Sequence, residues 1–472
     1  MADTRGHTRQ SPEGALRRAI GPSGFFALAF GAIVGSGWVV VMGEWLNAAG
    51  PGGTAVGFAV GALAMTGVAL CYGELAARSS AAGGEFLYVL RSFGADPAFI
   101  VGWFLSLYGI AVCAFEAIAL AWLLRTLVPS LELPALYAVR GVPVTLDGLL
   151  IGLGGALLVG VLHARGPLAA IRFQKTGTYG FIAISVLLII CGVVFGHFDN
   201  TQPLFPNDPH RPWLSGTAWI FSGCAFFLNG WQASIHAIEE RTADTSITRA
   251  VGAMVVAIWV AAAFYVAMVL AASSATPWMG LVARDLPAVV AFRSLTTNGI
   301  LGTVVLVAAI ISLAKTWTAI AWIASRLLLA QARRGFLPRA LASIHSGTGA
   351  PRTAIAAVTG LSLAGIALGN GAIVPLVNMV ATCLALSMAV CILALLRYRG
   401  GSNVKPSFVV PGGRTTVAAS LVAAVLMIGM AVLEPWIAGH GKVPLEWILL
   451  LGWAAIGLTF WARMRRRRAL GG

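Results

Sequence analysis

Charge is scarce in this sequence, and acidic charge is scarcest: 17 Asp and Glu stand against 32 Lys and Arg, and charged residues make up only 10% of the 472. A soluble domain with so little charge and a mean hydropathy of +0.85 would expose large apolar patches, which excludes the soluble globular reading. The six cysteines, Cys71, Cys113, Cys191, Cys224, Cys383 and Cys391, all fall inside apolar stretches. They form no Cys-x-x-Cys pair and have no histidine at ligand spacing, which removes a thiolate metal site. No Gly-x-x-x-x-Gly-Lys nucleotide loop is present, so direct ATP-driven work has no support. The Asp, Glu and His residues within apolar stretches are too few and scattered for a catalytic cluster. The expectation is a non-enzyme with no cofactor and no metal.

What is abundant is apolar sequence, 58% of the chain. Windows of about 20 apolar residues, enough to cross the hydrocarbon as helix, begin near Ser23, Thr54, Ala98, Leu146, Thr178, Leu214, Ala250, Ile300, Thr353, Ala372, Thr416 and Glu446. Runs such as Ala250–Ala272 do not alternate, which argues against a barrel. The expected fold class is an all-α polytopic membrane protein with 12 transmembrane helices. The formal charge of +15 invites a nucleic-acid partner, yet the basic residues sit between spans. With the N-terminus inside, 25 of the 32 Lys and Arg fall in cytoplasmic segments, Arg465 to Arg468 among them. That bias predicts a multi-pass protein of the cytoplasmic (inner) membrane with both termini cytoplasmic, the tail facing anionic lipid and no nucleic acid bound. The first twenty residues are polar and basic, so the first span itself, not a cleavable signal, is expected to direct insertion. Oligomeric state has no signature here.

Two apolar segments are broken by glycine, Ile33-Val34-Gly35-Ser36-Gly37-Trp38 in span one and Phe226-Phe227-Leu228-Asn229-Gly230-Trp231-Gln232 in span six. A helix that unwinds in hydrocarbon leaves amides and carbonyls unsatisfied, so such a break survives only beside a cavity or a ligand. Their spacing fits inverted repeats of spans one to five and six to ten, with spans eleven and twelve peripheral. The expected organisation is a cytoplasmic segment 1–22, one transmembrane domain 23–463 and a basic tail 464–472. Within the domain, repeat one covers about 23–197, repeat two about 214–396 and the peripheral helices about 416–463.

Four further stretches carry a family resemblance when taken with Ala32-Ile33-Val34-Gly35-Ser36-Gly37. They are Ala49-Gly50-Pro51 with Tyr72-Gly73-Glu74-Leu75; Ala237-Ile238-Glu239-Glu240-Arg241 with Thr248-Arg249-Ala250; Ser325-Arg326 through Arg333-Arg334-Gly335-Phe336-Leu337-Pro338; and Gly349-Ala350-Pro351. In this order on twelve spans, the sequence resembles the amino acid/polyamine/organocation transporter superfamily. The resemblance implies the leucine-transporter-type five-plus-five fold, alternating access, and secondary active transport of an amino acid or related amine. Proton coupling without sodium is the leading expectation, with an uncoupled exchanger or a non-transporting nutrient sensor as alternatives.

Substrate contacts are expected from Ile33, Gly35, Ser36 and Gly37, whose freed N–H groups favour a carboxylate, or else Gly31 and Gly35 serve close helix packing. Span six offers Asn229 and the carbonyls around Gly230 for an ammonium, and Phe227 and Trp231 for an apolar or cationic side chain, or else the two rings are ordinary aromatic core. Gln232 stands where many family members have an acidic or hydroxyl residue, which weighs against a strongly cationic substrate. His236 follows, either titrating or hydrogen-bonded. Two membrane charges are assigned to coupling. Glu116 ends a small-residue stripe and is expected to touch substrate, a proton or Lys315, or to snorkel outward. Lys315 shares a face with Ser312 and Arg326. In some proton-coupled relatives a span-five lysine replaces a sodium ion; here Gly180-Phe181-Ile182 lacks it and Lys175 is too early. Lys315 then either performs that task from span eight or pairs with Glu116. Gating is expected from Glu239, Glu240 and Arg326.

Overall fold

The computed structural model describes residues 20–470 except 79–83, 132, 166, 208–212, 239–240, 402–405 and 440. The backbone is mostly helical because the sequence offers long runs of Ala, Leu, Val and Ile, and a helix satisfies its own peptide groups where no water can. The first span is interrupted: α1 (Pro22–Ile33) stops, and α2 (Gly37–Val40) restarts after three residues. Next comes α3 (Met42–Arg78), which is two helices joined at a kink at Gly50 (φ 65°), with Pro51 opening the second. An apolar window placed its start near Thr54 because hydropathy cannot register a φ reversal. An amphipathic α4 (Gly84–Phe93) leads to the long α5 (Ala95–Leu127).

A hairpin, β1 (Ala135–Val139) and β2 (Val142–Thr145), follows and qualifies the all-helical expectation. Arg140 and Gly141 both take positive φ at its turn, as a tight primed turn requires. The chain continues through α6 (Leu146–Ala164) and α7 (Pro167–Phe195) to a second interrupted pair, α8 (Trp213–Phe227) and α9 (Gln232–His236). Then come α10 (Ile247–Ala275), the short α11 (Trp278–Leu281) and α12 (Pro287–Ser294), α13 (Ile300–Arg333), α14 (Arg352–Ile366), α15 (Ile373–Gly401), α16 (Gly413–Ala438) and α17 (Leu445–Leu470).

Ten helices among the described residues are long and apolar enough to cross a membrane, with α1 and α2 taken as one. The two windows expected near Leu214 and Thr353 fall on α8 and α14, each of 15 residues. Large apolar side chains such as Leu150, Leu158, Val194, Leu451 and Leu458 are exposed, the reverse of a soluble surface and the arrangement a lipid-facing rim needs. Buried at the centre are α1, α5, α8 and α13, and the breaks lie among them.

Two clamps bind the outer helices to this centre. The buried Glu74 at the end of α3 accepts hydrogen bonds from Arg78 Nε, Arg399 Nε on α15 and the Val410 amide, each at 2.9 Å. At α17, Trp103 and Trp453 exchange indole N–H donors to each other's carbonyls at 2.9 and 3.0 Å, with rings stacked 4.5 Å apart.

Candidate functional site

Where α1 ends, its last carbonyls have no helical donors, and α13 supplies them. Lys315 Nζ donates to Gly31 O at 2.8 Å and to Val34 O. Ser312 Oγ reaches Val34 O at 2.8 Å and Gly35 O at 2.9 Å, and Thr316 Oγ1 reaches Gly31 O and Val34 O at 3.2 and 3.1 Å. Ser312, Lys315 and Thr316 share a helix face by i, i+3, i+4 spacing. From α10, Tyr265 OH donates to Ile33 O at 3.3 Å. Lys315 is fully buried and lies 5.1 Å from the centroid of the Phe181 ring on α7. Lys175 is exposed, away from this cage.

Glu116 lies on the other side of the break. Its Oε2 accepts the Ser36 hydroxyl at 2.8 Å, and a Cβ on Gly35 would stand 2.7 Å from its Oε1. Glu116 is 2% exposed, so it faces inward and does not snorkel. The two membrane charges form no direct ion pair: the lysine is spent on carbonyls and the carboxylate on Ser36. Between α1 and α2, neither the Gly35 nor the Ser36 amide donates to a backbone carbonyl.

The second break packs directly on the first. Gly230 has φ 119°, and a Cβ there would run into the backbone of Ala32 and stand 2.7 Å from Ile33 N. Its amide donates to Gln232 Oε1 at 3.0 Å. Asn229 Nδ2 donates to Tyr108 OH at 3.1 Å, while its Oδ1 is buried with no hydrogen-bond partner.

Between the breaks lies a cavity of about 30 Å³, lined by Ile33, Gly35, Ser36, Gly37, Glu116, Phe227 and Asn229, with Tyr108, Tyr265 and Thr316. Its carboxylate, free amides and unpartnered carbonyl oxygen sit among the rings of Phe115, Phe226 and Phe227. That volume holds a water or two. A molecule the size of an amino acid exceeds it.

Three of the expected contacts lie outside this wall, the first being Gly230, which is pressed against Ala32. Trp231 is fully buried and packs edge-on against Tyr72 at 5.0 Å, outside the cavity wall. Gln232 lines a smaller void of about 20 Å³ beyond Tyr108, where His236 Nε2 meets Glu85 Oε2 of α4 at 3.2 Å. Both follow from α9 turning one face to α3 and α4 once the helix restarts. Phe227→Ala is accordingly expected to raise the apparent KM about tenfold, since losing a buried ring contact is worth one to a few kcal/mol. Trp231→Ala should chiefly lower stability, by about 3 to 5 kcal/mol. Uptake kinetics and unfolding midpoints measured on both variants separate the two roles, and identical profiles would reject the distinction.

Of the gating set, Glu239 and Glu240 lie outside the described residues. Arg326 stacks its guanidinium over the Trp322 ring at 3.7 Å. Sequence reasoning missed Tyr108, Tyr265, Thr316 and Glu85. Only Thr316 had a signal, one step along the stripe already marked by Ser312 and Lys315; the others come from helices whose approach no local pattern encodes.

An interrupted helix pair crossed at a central polar cavity, on a frame of long apolar helices, defines a multi-pass membrane protein of the transporter type. The chain belongs to the amino acid permease family, whose model matches residues 20–456. It is 27% identical over 471 residues to the methylthioribose transporter of Bacillus subtilis (strain 168), covering 98% of this chain and 96% of that protein. It is also 24% identical to the branched-chain amino acid permease of the same organism, over 71% of each. Cationic amino acid transporter 9, chloroplastic, of Arabidopsis thaliana is 26% identical over 71% of this chain and 59% of its own length.

Proposed function

We propose that this protein is a secondary active transporter for an amino acid or related amine, working by alternating access at the crossing of the two broken helices. Transport is driven by protons and independent of sodium. The carrying observation is the cage at the end of α1: two backbone carbonyls freed by the break converge on the Lys315 ammonium where a hard cation would sit, and the hydroxyls of Ser312 and Thr316 donate to the same carbonyls. Substrate carboxylate meets the Gly35 and Ser36 amides, and substrate ammonium meets Asn229 Oδ1. Repeats of about 23–197 and 214–396 within a 23–463 domain put one break at the head of each, with 12 spans in all. The charge bias supports both termini on the cytoplasmic face of the inner membrane.

A second substrate reading, an uncharged ribose thioether, is favoured by the relative that matches 98% of the chain and by the aromatic cavity wall. Uptake into sodium-free proteoliposomes under an inward proton gradient, with leucine, arginine, putrescine and methylthioribose as probes, tests both. Accumulation above equilibrium of any probe supports the transporter, and which one competes best selects the substrate class. Uptake that requires sodium would reject the coupling scheme.

Glu116 is the carboxylate in the wall of the central cavity, bonded to the Ser36 hydroxyl. Glu116→Gln keeps its shape and its bond to Ser36 yet can neither bind nor release a proton. The expected result is a flattened pH profile of uptake with at least a tenfold loss of rate at the optimum, of the size general acid–base groups contribute. An unchanged profile and rate would make it scaffold.

A further inference from the structure

A second cavity, far larger at about 430 Å³, opens on the hairpin side of the molecule, between the start of α3, the hairpin turn and the α16–α17 junction. Three carboxylates, Glu44, Glu434 and Glu446, share its wall with Arg140 and Lys442. Glu446 is the unusual one. It is 3% exposed, its Oε1 accepts Asn378 Nδ2 at 2.9 Å, and its Oε2 has no hydrogen-bond partner. No described lysine, arginine or histidine lies within 4 Å of it. A carboxylate so buried and only half-satisfied calls for a cation, and none of the described residues provides one. Behind it Asn378 Oδ1 accepts Trp219 Nε1 at 3.4 Å, so the indole of α8 is held at the same wall with a ring available to an organic cation.

We propose that this cavity is a binding site for a small amine or guanidine, whose cationic group pairs with Glu446 and packs on Trp219. The volume is in the range of small-molecule sites, and Arg140 and Lys442 tolerate a ligand that also bears a carboxylate. Trp219 belongs to α8, the first helix of the second interrupted pair, so occupancy bears on how α8 sits. The chemistry is shared by a free amine and by the headgroup of phosphatidylethanolamine.

The site stands apart from the central cavity, and the test keeps them apart. Agmatine binding is measured by calorimetry on protein in phosphatidylcholine nanodiscs, for the wild type, Glu446→Gln, Gly35→Val and the double variant. Glu446→Gln should weaken agmatine at least tenfold both in the wild-type background and with the central site blocked by Gly35→Val, while melting as the parent does. Adding phosphatidylethanolamine to the discs and suppressing that binding would identify the headgroup as the occupant; binding unaffected by it would identify a free solute. Equal agmatine affinity with and without Glu446, or no binding in discs free of ethanolamine lipid, overturns the proposal.

Discussion

Proton-driven accumulation by Lys315→Met should fall by about 10- to 100-fold while the protein still inserts into the membrane. Met matches the lysine stem but donates nothing. The carbonyls of Gly31 and Val34 then keep only the hydroxyls of Ser312 and Thr316. A buried acceptor stripped of a donor costs roughly 1 to 3 kcal/mol, and each 1.4 kcal/mol is about a factor of ten in an equilibrium. Lys315 makes no ion pair with Glu116 here, so the loss should fall on the α1–α13 contact and not on the carboxylate. Exchange of substrate for substrate, which needs no net proton movement, should survive better than uphill uptake. Reconstituted protein assayed in both modes decides it: retained accumulation in the variant would remove Lys315 from the coupling scheme.

Gly230→Ala is expected to be the more severe change, with uptake and binding both reduced at least about 100-fold. A positive φ of 119° is strained for any residue with a Cβ, at a cost of order 1 to 3 kcal/mol. In addition the new methyl would meet the backbone of Ala32 and Ile33, which has no side-chain torsion by which to yield. The two breaks must separate, and the cavity between them loses its wall. Gly252→Ala on α10 is the matched control, since nothing lies within 4 Å of a Cβ there. Wild-type uptake by Gly230→Ala would mean that the breaks are not in contact in the working protein.

The frame was legible because its signals are local. Apolar runs placed α5, α6, α10, α13, α16 and α17 to within a few residues, and Gly35 with Gly37 in one segment and Gly230 in the other marked the breaks. What stayed hidden is of two kinds. Backbone reversals such as Gly50, and the hairpin turn at Arg140-Gly141, are conformations that hydropathy does not register. Convergence across helices is the other. Tyr108 meets Asn229 across 121 positions of sequence, and Tyr265 meets Ile33 across 232. Trp231 shows the same limit: aromatic character beside a break suits a cavity wall and a core equally, and here its ring packs on Tyr72.

The two-way indole exchange between Trp103 and Trp453 makes α17 an external handle on α5. Helix α17 is largely exposed along its length, whereas α5, which carries Tyr108 and Glu116, is almost entirely enclosed. A spectroscopic label at an exposed α17 position such as Leu451 or Leu458 would therefore travel with the enclosed helix without touching the cavity. Distances from such a label to one on α10 would report any movement of α5 against α10, read from the lipid side.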